Sequence, residues 1–437
     1  MTTSPPLRRV VYVVSLFPCW SETFIVREIG ALIESGVDVR VLSLKPATEH
    51  LVHGDAAALL ERVRHPGKGL AAVGRQLRAM VRHPWIVLHA LANVVADGWR
   101  TPRTAAKSVA ALLRGMEHVG WLRDFDPDFI HAHWATYPST VAWALGRMLR
   151  RPFGFTCHAH DIFVERQMLA RKIGEASLAV TISRYNIDWL AAHVAPCADE
   201  RLRLVHCGVD LDTFPWNGDG REPHTILAVG RLDPIKGFET LLDALAALHA
   251  GGVPFRCRLV GSGPLDAGLR ERARFHGIAD LVEFTGARSQ DEVRAWMRTA
   301  TVFAMPSRIG DDGDRDGIPV ALMEAMASGC AVVGTRVSGI PELIEDRVDG
   351  LLVEPRDPAG LARALQCLLH DGALRQRLSI RARERIERDF DSRSQAARLR
   401  RFMQDVLAGD ALPALSGATI TDTPNASPQP RIGHAHE

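Results

Sequence analysis

The segment Met305–Glu342, MPSRIGDDGDRDGIPVALMEAMASGCAVVGTRVSGIPE, constrains this chain more than any other. Gly317 and Pro319 mark the start of a helix and Gly329 its end, the places where Pro and Gly suit a helix. Between Ile318 and Ala327 every side chain is apolar except Glu324. A helix that is apolar nearly all round is a buried one. A lone buried carboxylate needs a partner, because an unpaired buried charge is costly or neutralises itself. No Lys or Arg stands three or four residues from Glu324, the spacing that would put a cation on its face of the helix. Its partner is therefore a distant side chain or a ligand with hydroxyl donors. Asp316 stands eight residues upstream, in the loop leading into the helix. Two carboxylates so placed can grip two parts of one extended polar ligand. An ordinary buried helix with a salt-bridged Glu would also explain them.

The rest of the chain alternates strands and helices. Val10–Ser15 and Val37–Leu44 are continuous β-rich runs flanking a helix over Phe24–Glu34, capped by Ser21 or Thr23. This βαβ opening predicts a doubly wound parallel sheet, with ligands beyond the carboxyl ends of its strands. Free amides at that helix start, around Ser21, Glu22 and Thr23, can face an anion. Further strands are predicted over Phe129–Trp134 and Phe153–Asp161, each running into His-x-His, and over Ser177–Ser183 and Leu202–His206. A second series restarts at Thr225–Gly230 and continues through Phe255–Gly263, Val282–Gly286, Val302–Pro306 and Gly350–Val353. Length fits this reading, since 437 residues suffice for two domains.

Between the two series of motifs, charge is unevenly distributed. Net charge is only +2, which singles out no partner and gives no reason to expect nucleic acid. Yet residues 61–120 hold ten Lys/Arg against three Asp/Glu in a helical pattern that includes Trp85. That segment reads as a helical insertion over 56–123 with a solvated basic face; the alternative is contact with an anionic membrane surface. Seven scattered Cys, without paired spacing, predict a reduced cytoplasmic protein. No signal-peptide core or membrane-spanning run is expected.

The turn after Thr225–Gly230 carries the second chemical signal. Arg231 and Lys236 flank a turn that ends at a helix N-terminus. Two cations, free amides and the positive end of a helix dipole make a diphosphate site without a metal. The turn Ser338-Gly339 offers further amides to the same phosphates. Four His (His131, His133, His158, His160) and Asp161 near strand ends could instead build the metal site of a hydrolase. The acidic run Asp311–Asp316 resembles a DxD metal motif but reads better as a flexible, solvated loop closing over a ligand.

These ordered motifs resemble the retaining glycosyltransferases of family four, the group 1 enzymes of the GT-B fold, and their colanic-acid or exopolysaccharide branch in particular. The Ser-Glu-Thr-Phe run at 21–24 is similar to that branch, and CGVDLDTF at 207–214 to the family's crossover between halves. The resemblance implies two Rossmann-like domains facing across a cleft: 10–206 on the acceptor side and 207–390 on the donor side. It adds a helix at 391–408 crossing back to the first domain. A flexible 1–9 and a disordered 409–437 flank these. Glu324 matches the acid that binds the nucleotide ribose. Asp316 stands where the family usually has Glu contacting the donor sugar, one methylene shorter, beside Gly317 and Ile318. Arg231 and Lys236 match the diphosphate cations, Arg288 the mouth of the base pocket, and His158 the Thr-x-His histidine near the donor sugar. Ser21, Glu22, Thr23 and His133 fall on the acceptor side. The expected reaction transfers a sugar, with retention, from a nucleotide-diphosphate sugar to a glycan or lipid-linked acceptor. No metal or other cofactor is expected, and the place is the cytoplasm or the inner face of the cell membrane. A nucleotide-sugar epimerase of the same fold, a metal-dependent hydrolase and a non-catalytic nucleotide-sugar sensor are the rival readings.

Overall fold

The computed structural model describes residues 6–19, 22–46, 58–99, 101–218 and 220–409. Seven parallel strands form the first sheet: β1 (Arg9–Val14), β2 (Asp38–Ser43), β3 (Val63–Arg64), β4 (Phe129–His133), β5 (Phe153–Cys157), β6 (Leu178–Thr181) and β7 (Leu202–Leu204). Their order is β3-β2-β1-β4-β5-β6-β7. The second sheet holds β8 (Glu222–Val229), β9 (Arg256–Val260), β10 (Val282–Gly286), β11 (Ala300–Met305), β12 (Ala331–Thr335) and β13 (Leu351–Val353), ordered β10-β9-β8-β11-β12-β13. Both sheets reverse direction of build beside their first strand. The crevices at those switch points, beyond β1/β4 and β8/β11, are where such sheets bind ligands.

Alternation along the strands decides what covers each face. In β1, Val11 and Val13 meet Val87, Ala90 and Leu112 of the helices Pro84–Gly98 and Pro102–Met116. Val10, Tyr12 and Val14 meet Ile25 and Ile29 of the helix Thr23–Glu34, together with Leu399, Phe402 and Met403 of the last helix, Ser392–Ala408. That last helix follows the second sheet in the chain and yet completes the core of the first. In the second domain, the helix Val320–Ala327 buries Leu322, Met323 and Met326 against Leu227, Phe303 and Val332.

Several sequence expectations are corrected. The segment 56–123 is not purely a helical insertion, because Val63–Arg64 pairs with Val41–Leu42 as the outermost strand of the first sheet. Residues 7–9 are not loose: Leu7 is buried, and the amides of Arg8 and Arg9 both donate to Asp128 at 2.8 Å. The remainder of the expected flexible N-terminus, residues 1–5, and of the tail, 410–437, lies outside the described residues. The helix Thr23–Glu34 has Glu22 at its N-cap and no side-chain cap, so Thr23 is its first residue and not its cap; Ser21 lies outside the described residues. β5 stops at Cys157, and His160 already belongs to the short helix His160–Phe163. His158 and His160 therefore share no strand face. No described helix is long and apolar enough to cross a membrane.

One turn in the second domain depends on a missing side chain. Gly237 closes the single 3₁₀ turn Pro234–Lys236 at a φ of +67° and leads into the helix Phe238–Ala250. A Cβ placed there would lie 1.9 Å from the carbonyl oxygen of Pro306. Gly237→Ala is thus expected to destabilise the fold by more than about 1 kcal/mol, as the left-handed backbone alone already disfavours Ala. Chemical denaturation of the variant checks this; an unchanged midpoint would contradict it.

Candidate functional site

The site forms where the carboxyl ends of both sheets meet. From the second domain, Lys236 Nζ donates to Asp316 Oδ1 at 2.6 Å and Ser307 Oγ to Asp316 Oδ2 at 2.5 Å. Both oxygens of Asp316 are thus oriented, and its side chain is mostly buried. Arg231 pairs with Asp233 two residues on, its guanidinium still largely exposed. Ser338 adopts a left-handed φ of 54°, with its Oγ buried and without a hydrogen-bond partner among the described residues. Arg288 forms a local pair with Glu292 at 3.4 Å and also donates to the Thr285 carbonyl. No hydrogen bond among the described residues ties Arg288 to the other predicted donor residues.

Glu324 finds its partner in the other domain. Arg27 Nη2, from the helix Thr23–Glu34, donates to Glu324 Oε1 at 2.5 Å, with both side chains about nine-tenths buried. The Arg27 guanidinium also lies 5.3 Å from the Phe214 ring centroid. Of the two partners the sequence allowed, a distant cation and a hydroxylated ligand, the fold supplies the cation. A ribose at Glu324 must share or displace it.

His158 stands at the end of β5, fixed from several sides. Its backbone amide donates to Asp161 Oδ1 at 2.8 Å. Burial pushes that carboxyl up to about 6 against the hydrogen bonds it accepts. The His158 ring lies between Phe24 and Trp134, with centroid distances of 4.9 and 4.6 Å. Its Nε2 is 3.1 Å from His133 Nδ1, and His133 Nε2 is 2.9 Å from Glu28 Oε1. Tyr12 donates to the same Glu28 oxygen at 2.7 Å. His131 bonds instead to Thr156 at 2.9 Å. Burial pulls His131 down to about 3.

The two domains touch around these residues. A Cβ on Gly317 would come within 2.8 Å of Ile182 and 3.8 Å of Ala159 Cβ. One on Gly339 would meet Ile318 and Ser183 at 2.8 and 2.9 Å. Both glycines therefore let one domain's backbone approach the other. Glu342 accepts the amides of Arg184 and Tyr185 at 2.8 and 2.7 Å, across the same divide. The acidic loop is only partly solvated: Asp311 and Asp312 are exposed, and its second half is held across the cleft. Asp314 bonds to His160 at 3.2 Å, and Arg315 bonds to the Tyr185 hydroxyl at 2.8 Å and stacks on Phe163.

Two predicted metal arrangements are resolved differently. Asp314 and Asp316 of the acidic loop face different partners, His160 and Lys236. Glu28, His131 and His133 bring one ligand atom each within 4.8 Å of one another. Both His133 nitrogens and the near Glu28 oxygen are already in hydrogen bonds, so an ion there would have to replace that chain. His160 points to the acidic loop and has no part in it.

The structure thus brings together His158 with His133, and Lys236 with Asp316, and lays Gly317 beside Ala159. Glu22 and Thr23 sit at the start of the helix that carries Arg27 and Glu28. Sequence reasoning missed Tyr12, Arg27, Glu28 and Ser307. Only one signal pointed at any of them: the buried Glu324 needed a partner. Nothing local singled out Arg27, which is 297 residues away.

Comparison with known proteins follows from this geometry. Residues 223–371 match the family described as Glycosyl transferases group 1, and residues 21–213 match Glycosyltransferase Family 4. The chain is 31% identical to a putative colanic acid biosynthesis glycosyltransferase, WcaL, of Salmonella typhimurium, over 91% of this chain and all of the relative. It is 28% identical to the amylovoran biosynthesis glycosyltransferase AmsK of Erwinia amylovora, over 86% of this chain and 94% of the relative. Among solved structures, Anabaena HepE in complex with UDP and glucose superposes with a TM-score of 0.62 at 15% identity, covering 91% of this chain and all of HepE. That likeness shows the fold, two parallel-sheet domains in the GT-B arrangement.

The Arg27–Glu324 pair makes a measurable claim. Removing one partner of a buried ion pair strands the other and costs about 3–5 kcal/mol. Arg27→Met and Glu324→Gln are each expected to destabilise strongly, and the double variant by clearly less than the sum. Urea unfolding of all four proteins measures the coupling; strictly additive losses would show that the pair carries no energy of its own.

Proposed function

This chain belongs to the family four, group 1 glycosyltransferases and is a glycosyltransferase; on that premise we propose how its cleft moves a sugar from a nucleotide-diphosphate sugar to a glycan acceptor. The carrying observation is the approach of Gly317, next to Asp316, to Ala159, next to His158: a Cβ on Gly317 would lie 3.8 Å from Ala159 Cβ, so the predicted donor-sugar carboxylate and His158 flank one contact between the domains. The diphosphate lies on Lys236 and Arg231 at the start of the helix Phe238–Ala250, with the Ser338-Gly339 turn beside it. Charge that develops on the leaving diphosphate is stabilised there without a divalent metal. Asp316 orients the transferred sugar, Glu324 takes the ribose hydroxyls once Arg27 yields, and Arg288 stands toward the base. Transfer proceeds with retention, the acceptor hydroxyl attacking on the face the diphosphate leaves. Relatives named for colanic acid and amylovoran biosynthesis support a glycan acceptor built for exopolysaccharide; a lipid carrier for it is part of the proposal.

We further propose that the protein works at an anionic membrane surface. The helices Leu70–Arg82 and Pro84–Gly98 turn Leu70, Val81 and Trp85 outward, each at least 80% exposed, together with Leu77 and Leu88. Arg75, Arg78 and Arg82 lie on the first of these helices. Exposed apolar side chains beside cations fit a leaflet of acidic lipids. The basic segment thus offers more than the solvated charge its composition suggested.

Two measurements test the chemistry. Mass spectrometry after incubation with UDP-glucose, UDP-galactose, GDP-mannose and ADP-glucose, in EDTA and with a polyprenyl-linked glycan, is expected to show transfer from one of them. Activity that EDTA abolishes and manganese restores would overturn the metal-free reading. With that donor, Lys236→Ala should lose turnover by roughly a hundred- to a thousandfold, about 2.7–4 kcal/mol. Glu324→Gln should raise the donor KM more than it lowers kcat, the mark of uniform binding. A Glu324→Gln enzyme with unchanged donor KM would remove Glu324 from the ribose.

Flotation with liposomes tests the membrane. Vesicles containing phosphatidylglycerol should carry the protein at low salt and lose much of it at high salt, and Trp85→Ala should weaken what remains. Equal recovery with purely zwitterionic vesicles, or no binding at low salt, would contradict the proposal.

A further inference from the structure

The face of the first sheet beneath the helix Thr23–Glu34 carries an uninterrupted polar chain in an apolar layer. Parallel register pairs Tyr12 with His131 and His133 with Thr156, so these side chains share that face. Around them lie Val10, Val14, Ile25, Ile29, Val39 and Val41, all buried. A carboxylate and imidazoles in such a layer are expensive, and apolar residues of similar volume would pack there at no cost in desolvation. The hydrogen bonds run in one line: Tyr12 Oη to Glu28 Oε1, His133 Nε2 to the same oxygen, and His133 Nδ1 to His158 Nε2. The line ends in the recess that Phe24, Glu28, His133 and His158 help to line.

We propose that Glu28 and His133 are positioning residues that set the tautomer of His158, so that its Nδ1 lone pair faces the cleft and accepts a hydrogen bond from a sugar hydroxyl. This rests on the reading above that His158 meets the donor. The direction of each bond follows from the first. An ionised carboxylate only accepts, so Glu28 takes the proton-bearing Nε2 of His133 and leaves Nδ1 of a neutral His133 as an acceptor. His158 then donates its Nε2–H to that nitrogen, which empties its Nδ1. Burial raises the Glu28 carboxyl, but the hydrogen bonds it accepts from His133 and Tyr12 help to hold it down at about 2, so it is ionised and only accepts. Burial holds His158 well below the usual histidine range, so it stays neutral. Phe24 and Trp134 also contact the His158 ring, at centroid distances of 4.9 and 4.6 Å.

The experiment reads the tautomer directly. Long-range ¹H–¹⁵N spectra of the full chain labelled at histidine, with His158→Ala to assign the signal, are expected to show His158 protonated at Nε2 and bare at Nδ1. This needs no donor. In Glu28→Gln the amide can donate to His133, and the His158 signal should shift toward the other tautomer or a mixture. With the sugar nucleotide of the panel above that the wild-type protein turns over, Glu28→Gln should lower kcat more than tenfold while the donor KM stays within about twofold, at an unchanged melting temperature. In the His158→Ala background the same change should cost little further. Nδ1 protonated in the wild-type protein overturns the proposal, whether or not Glu28→Gln folds. A Glu28→Gln loss that is equally large without His158 also overturns it. If His158→Ala keeps wild-type turnover, the placement of His158 at the donor fails and this inference fails with it. If His158→Ala is inactive while the tautomer is insensitive to Glu28, only the inference fails.

Discussion

The contact between Arg27 and Glu324 is the constraint on which the cleft depends. Neither group tolerates burial alone, and each lies in a layer of apolar side chains. Their pairing requires the helix Thr23–Glu34 of one domain to stand against the helix Val320–Ala327 of the other. The remaining contacts across the divide follow that closeness: Glu342 under the start of the helix Arg184–His193, Arg315 on Tyr185 and Phe163, and Gly317 and Gly339 where a Cβ would collide. If the ribose binds Glu324 as proposed, the pair also ties donor binding to the joint between domains. A ligand that hydrogen-bonds to Glu324 acts on a carboxylate whose Oε1 already accepts a charge-assisted bond from Arg27. Binding energy spent there is coupled to how the two halves sit.

The doubly wound topology supplies the rest of the chemistry cheaply. At each switch point the chain leaves a strand end and returns by a helix, so loops from non-neighbouring segments converge. In the second domain this places Lys236, after β8, against Asp316 and Ser307, after β11. In the first, His133 at the end of β4 meets His158 just beyond the neighbouring β5. Each domain thus contributes one prearranged polar pair, held by hydrogen bonds before any substrate arrives. Preorganisation of this kind is what lets a site stabilise charge without reorganising at the moment of reaction. The last helix, Ser392–Ala408, adds a constraint of its own, because Leu399, Phe402 and Met403 complete the first domain's core after the second domain has been made. The two domains share that core through the chain itself.

What the sequence by itself determined is whatever depends on short-range pattern. Runs of β-rich residues announced most strands, and the apolar helix with one carboxylate announced a buried acid that must be paired. Lys236 and Arg231 beside a helix start led to the expectation of a place for phosphate, because dipole, amides and cations all lie within a few residues. Those features together also carried the family resemblance. Tertiary structure decided what depends on distance. Val63–Arg64 became an edge strand only because β2 lay next to it, and its two residues have no pattern of their own. The acidic loop's fate depended on His160 and Tyr185, far away in sequence. Arg27, Glu28 and Tyr12 look like an ordinary surface cation, surface acid and core aromatic until the sheet and the covering helix bring them beneath one another. A buried charge fixes that a partner exists through desolvation alone, which any sequence shows. Which of many arginines it is depends on the path of the backbone, and only the folded chain decides that.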